Sequence, residues 1–146
     1  MTTTPMHLGD AELDDDHDRF HTLVEHLQLS VSRAAQLASV DALRLHAGAH
    51  FATEDAQLRA MGGGNAQCHL DEHAAVLKSL DDVRRVLLGD GHSVQTKQTL
   101  VQRLGEQLAD WLPYHVQEMD AAVATARARA RFGGAPVHIS RTAVGR

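Results

Sequence analysis

Apolar residues recur at helical intervals along four stretches of the chain, which predicts four amphipathic helices. The first stripe reads Leu13, His17, Phe20, Val24 and Leu27. The second runs through Leu37, Val40, Leu43, Ala47, His50, Glu54, Leu58 and Met61. A third carries His69, His73, Val76, Leu80, Val83 and Leu87, and the fourth Val94, Val101, Leu104, Leu108, Leu112, His115 and Met119. Gly62-Gly63-Gly64 and Gly89-Asp90-Gly91 break the pattern between helices. Four such helices with short connections predict an all-α, up-down-up-down four-helix bundle over residues 11–132. Residues 1–10 and 133–146 are expected to be flexible ends.

Seven residues on or beside these stripes are out of place in an apolar core: His17, His50, Glu54, His69, His73, His115 and Asp120. They are metal-ligand types, and helical hairpin geometry tests whether they share one level. Side chains at one height lie equally far from the turn between their helices. The midpoint of His50/Glu54 and His69/His73 falls near Met61-Gly62. The midpoint of His69/His73 and His115/Asp120 falls near Val94, just past the second glycine break. For His17 against His50/Glu54 the rule places the first turn near Ala34, beside Ser30-Val31-Ser32, with Ser32 as the expected N-cap. All seven therefore fit one layer of the bundle.

Local spacing agrees for two helices. His50/Glu54 and His69/His73 are i,i+4 pairs, about 40° apart on a helix. His115 and Asp120 are i,i+5, about 140° apart on a regular helix. A kink at Pro113 is the expected compensation. A lone histidine on an apolar stripe is ordinarily a hydrogen-bonded core residue. Five histidines and two carboxylates at matched heights are not explained that way, since an uncompensated buried carboxylate costs several kcal/mol. Imidazole with carboxylate suits iron, and also zinc, manganese or copper.

Composition narrows the class. A chain of 146 residues is long enough for one domain with a buried core. Its net charge of −5 gives no general electrostatic case for nucleic acid. No apolar run approaches the ~20 residues of a membrane span, and the first residues do not read as a secretory signal. The lone Cys68 cannot form an internal disulfide, so a cytoplasmic setting is expected. It reads as a buried or semi-exposed inert thiol.

The chain resembles the bacterial hemerythrins. The matching pieces are Leu13-Asp14-Asp15-Asp16-His17, His50-Phe51-Ala52-Thr53-Glu54, Cys68-His69-Leu70-Asp71-Glu72-His73, and Trp111-Leu112-Pro113-Tyr114-His115 followed by Asp120. The resemblance spans roughly residues 10 to 125 and implies two iron ions in a hemerythrin-like bundle. It implies that His69, His73 and His115 bind one iron, that His17 and His50 bind the other, and that Glu54 and Asp120 bridge them. The iron with two imidazoles would keep a position open for dioxygen. The preponderance of neutral imidazole over carboxylate favours reversible oxygen binding over oxygen activation. Oxygen carriage, storage or delivery is the function expected. An oxygen or redox sensor acting through an unknown protein partner, and an enzyme acting on peroxide or nitric oxide, are the alternatives.

Some residues depart from the family pattern. Gly62-Gly63-Gly64 stands where a Gly-aromatic-Pro turn is frequent. His21, one turn after His17, reads first as a solvated or core histidine and second as a hydrogen-bond donor near the open metal. His46 makes the same ambiguous pair with His50. His26 and His92 read as exposed. Trp111 reads as core packing, with a role in walling the oxygen pocket shared with Phe51 and Leu112 as the alternative. Asp10, Glu12, Asp14, Asp15, Asp16 and Asp18 open the first helix; Arg127, Arg129 and Arg131 close the fourth. Acids at a helix start and bases at a helix end suit the helix dipole, and the bundle topology brings these ends together.

Overall fold

A computed structural model describes residues 6–131. Five α-helices and one π-helical segment account for most of that span. They are α1 (Ala11–Leu29), α2 (Arg33–Met61), α3 (Gly64–Leu88), α4 (Val94–His115), the π segment (Val116–Asp120) and α5 (Ala121–Arg131). The last three follow one another without a gap, so the fourth rod of the bundle is α4, π segment and α5 together. α1 packs on α2 and α4, and α2 on α3. This is the all-α four-helix bundle that the periodicity predicts. Residues 1–5 and the expected tail 133–146 lie outside the described residues.

Each turn has a local cause. The Ser30 hydroxyl donates to the Leu27 carbonyl at 2.6 Å where α1 ends. Ser32 then caps α2, its hydroxyl accepting from the Ala35 amide at 3.1 Å. The turn thus precedes Ala34. Between α2 and α3, Gly62 and Gly63 take φ of 68° and 93°, the left-handed region in which an L side chain is strained. Ser93 caps α4, accepting from the Thr96 amide at 3.1 Å. At the end of α3, Lys97 donates to the Gly89 carbonyl at 2.6 Å and Arg33 to the Leu87 carbonyl at 2.8 Å. Cations there complement the helix dipole, which explains why a lysine, Lys97, is buried on the apolar stripe between Val94 and Val101.

The core runs along the bundle axis through Phe20, Val24, Leu27, Val40, Leu43, Leu80, Leu87, Val101 and Leu104. A smaller cluster of Leu13, Leu58 and Val123 packs elsewhere, joining α1, α2 and α5. Met61 and Val94 were expected on the stripes but are exposed, because each is the terminal residue of its helix. α1 and α4 approach closely at Gly105, where an added Cβ would stand 2.8 Å from Gln28 Cγ.

The oppositely charged ends do meet. Asp10 is buried, caps α1 by accepting from the Leu13 amide at 3.1 Å, and receives Arg127 at 2.7 Å and Arg131 at 3.1 Å. Glu12 also pairs with Arg127. The described part of the first ten residues is anchored: Leu8 and Gly9 amides donate to the Asp14 carboxylate at 2.7 and 3.2 Å. Among the described residues no helix is long and apolar enough to cross a membrane.

Candidate metal centre

All seven sequence-predicted residues are buried and converge on one layer. They form two overlapping groups: Glu54, His69, His73, His115 and Asp120, and His17, His50, Glu54 and Asp120. In each group the potential ligand atoms all lie within 4.8 Å of one another. Glu54 and Asp120 belong to both.

The two carboxylates each divide their oxygens between the groups. Glu54 Oε1 is 3.2 Å from His73 Nε2, while Oε2 is 3.3 Å from His50 Nε2. Asp120 Oδ1 is 2.7 Å from His69 Nε2, while Oδ2 is 2.9 Å from His17 Nε2. One oxygen facing each way is the geometry of a bridging carboxylate.

Asp120 reaches this position through the π segment. Five residues after His115 it would point away on a regular helix. A one-residue bulge with i→i+5 bonding returns it to the same face, with His115 Nε2 3.2 Å from Asp120 Oδ1. The expected compensation was a kink at Pro113. The structure places the adjustment just after it, where the Val116 amide reaches both Leu112 and Pro113 carbonyls.

The chemistry of the donor set fits metal ions. His73 Nδ1 is 2.7 Å from Asp55, His115 Nδ1 2.8 Å from Glu72, and His50 Nδ1 2.8 Å from Asp16. A carboxylate only accepts, so each Nδ1 carries a proton and each ring turns its Nε2 inward, where the neutral form offers a lone pair to a metal. Yet the Nε2 atoms of His73 and His115, whose Nδ1 atoms both carry the proton, stand 3.2 Å apart. Facing lone pairs repel at that distance. Nitrogens bound to one metal at ~2.1 Å lie roughly 3.0–3.4 Å apart. Both Glu54 oxygens and both His17 nitrogens are also buried without a hydrogen bond, although the His17–Asp120 pair is close. Such groups are costly unless a cation takes them.

Electrostatics point the same way. Burial lowers the tendency of His50 to hold a proton, but Glu54 and Asp16 outweigh it and raise the ring to about 9. Burial disfavours charge on Asp120 too, yet His115, His17 and His69 hold its carboxyl far below the usual range. Glu54 is likewise lowered against the cost of burial, by His50 and His73. The layer keeps its carboxylates ionised and draws positive charge to itself.

The periodicity of the sequence does not mark Asp16, Asp55 and Glu72 as part of the layer. Each adjoins a member of the set in sequence and holds an imidazole on the next helix. Asp16 of α1 serves His50 of α2, Asp55 of α2 serves His73 of α3, and Glu72 of α3 serves His115 of α4. An acid next to a candidate ligand is the signal available in the sequence.

Other expectations resolve individually. His21 is exposed and 3.4 Å from Glu25, so it faces away from the layer. His46 Nε2 contacts the Asp16 carbonyl at 2.9 Å, outside both groups. Cys68 is exposed, where a buried or semi-exposed thiol was expected; it precedes His69 and so turns from the buried face. Phe20, Phe51 and Trp111 form an aromatic triangle with centroids 6.2 to 6.3 Å apart. Phe51 stacks on His73 at 4.0 Å and Trp111 on His115 at 4.3 Å.

The family model described as the hemerythrin HHE cation binding domain matches residues 8–126. The chain is 33% identical over 120 residues to a protein named bacteriohemerythrin from Ralstonia nicotianae (strain ATCC BAA-1114 / GMI1000), covering 82% of each. The comparison with solved structures found no match. Fold, converging histidines and carboxylates, and both likenesses agree: the chain belongs to the hemerythrin family.

Proposed function

We propose that this chain binds dioxygen reversibly at a pair of iron ions held in the histidine–carboxylate layer. The observation that carries the reading is the asymmetry of the two groups. Beyond the shared Glu54 and Asp120, one offers three imidazoles, His69, His73 and His115, and the other only two, His17 and His50. One imidazole fewer leaves room for a small external ligand. Bound iron would supply redox capacity and that open position.

The chain's own residues do the rest. Glu54 and Asp120 would hold both ions, since each turns one oxygen toward each group. Asp16, Asp55 and Glu72 hold three of the imidazoles with Nε2 inward, which favours metal binding. Phe51, stacked on His73, and Phe20 packed next to it are buried and help keep the layer dry. A small apolar gas is compatible with such walls. Iron, rather than zinc or manganese, is favoured by the family and is compatible with the ligand types. The single exposed thiol fits a reducing, cytoplasmic setting.

Anaerobic reduction followed by oxygen titration, monitored by visible absorption, tests this. Spectral changes that reverse when oxygen is removed support a carrier or store. Rapid irreversible oxidation would replace it with a sensing or catalytic role.

A further inference from the structure

Trp111 is the sole tryptophan of the chain, and it is tied to the metal layer through a side chain on another helix. Its indole N–H donates to Glu72 Oε1 at 3.0 Å. That same oxygen accepts from His115 Nδ1 at 2.8 Å. The indole also lies along the His115 ring, centroids 4.3 Å apart and planes within 25°. Trp111, Glu72 and His115 thus close a triangle of two hydrogen bonds and one stack.

This arrangement differs from plain packing. Phe51 stacks on His73 just as closely but has no N–H to offer Asp55. Glu72 needs an anchor. Its side chain is 32% exposed, and with Trp111 it lines a groove of about 350 Å³ between α3 and α4. Water in that groove competes for the carboxylate, and a flexible glutamate swings unless a second, rigid donor holds it. Trp111 supplies that donor from a ring already fixed against His115.

We propose that Trp111 is a positioning residue for His115, acting through Glu72 to set how strongly the imidazole donates to its metal. The inference rests on the reading that His115 binds a metal. A carboxylate that accepts the outer N–H of an imidazole raises its basicity, and losing such a partner typically costs about 10–100-fold in metal affinity. Trp111 stands one bond further out, so its effect is smaller and vanishes when Glu72 is absent.

The test is a double-variant cycle on the iron-loaded protein, read by iron affinity and by midpoint potential. Trp111→Phe keeps a stacking ring and removes the N–H. It is expected to lower iron affinity several-fold, below the ~10–100-fold of an outer partner, and to raise the potential, since weaker donation stabilises the ferric state less. Glu72→Ala is expected to produce the larger change, and Trp111→Phe added to it should change neither quantity further. Should Glu72→Ala fail to retain iron, Glu72→Gln takes its place; its neutral amide oxygen still accepts but passes on a weaker bond, so the Trp111→Phe shift should shrink. Equal shifts in both backgrounds, or a Trp111→Phe chain that melts lower at unchanged potential, would overturn the proposal. A wild-type chain that holds no iron would instead overturn the metal reading beneath it, so the two failures are distinct.

Discussion

His115 and Asp120 meet at 3.2 Å, Nε2 to Oδ1, although five residues separate them. The π segment between them acts as a single residue inserted into an α-helix. Deleting the exposed Glu118 should therefore restore a regular helix in which the two stand i,i+4, and both metals should be retained. Inserting one alanine after Glu118 should swing Asp120 out of the layer and release at least one metal. Native mass spectrometry of both chains checks this, and loss from the deletion with retention by the insertion would be the opposite of what the bulge requires.

Glu54 presents one oxygen to each group, and its removal should uncouple the two metals. In Glu54→Ala, magnetic coupling in the oxidised protein should collapse. Coupling of wild-type strength would remove Glu54 from the bridge.

Much of this site is legible in the sequence because burying charge is costly. Histidines and carboxylates on the stripes of His50-Glu54 and His69-His73 stand out against Leu and Val, and glycine breaks set the helix lengths that align them. Two features are hidden. The π segment has no apolar signature, so the i,i+5 spacing of His115 and Asp120 looks like a conflict. Asp16, Asp55 and Glu72 are partly exposed acids like many others. Their role depends on the rotation of one helix against the next, which periodicity within one helix does not contain. Lys97 is concealed for a similar reason: the carbonyls it satisfies belong to the end of α3.

His17 and His21 are one turn apart, but only His17 is in the layer. His17→Ala should lose the metal of the two-imidazole group and abolish oxygenation. His21→Ala should retain both metals and bind oxygen as the wild type does, since its ring stands beside Glu25 on the surface. Emptying of a metal site by His21→Ala alone would show that α1 is turned differently.

Asp10 joins the start of α1 to α5 through Arg127 and Arg131. Burial raises its carboxyl, but Arg127, the Leu13 amide and Arg131 outweigh it and hold the group below the ordinary 3.8. A lowered carboxylate stabilises the fold fully above the unfolded value and loses that contribution as pH falls through the folded one. Asp10→Asn should thus cost about 1–3 kcal/mol near pH 7. The gap from wild type should persist down to about pH 5 and narrow below about pH 4. Denaturant melts of both chains in the same metal state, where histidine contributions cancel, measure it. A gap that widens on acidification would contradict the ion pair.

Whether this layer holds two irons is decided by the iron content of the purified chain, wild type against His73→Ala, after expression with iron supplied. Two irons per wild-type chain and no more than one in the variant are the expected result. A wild-type chain with no iron, or a His73→Ala chain that still holds two, would contradict the assignment of this layer as a di-iron centre.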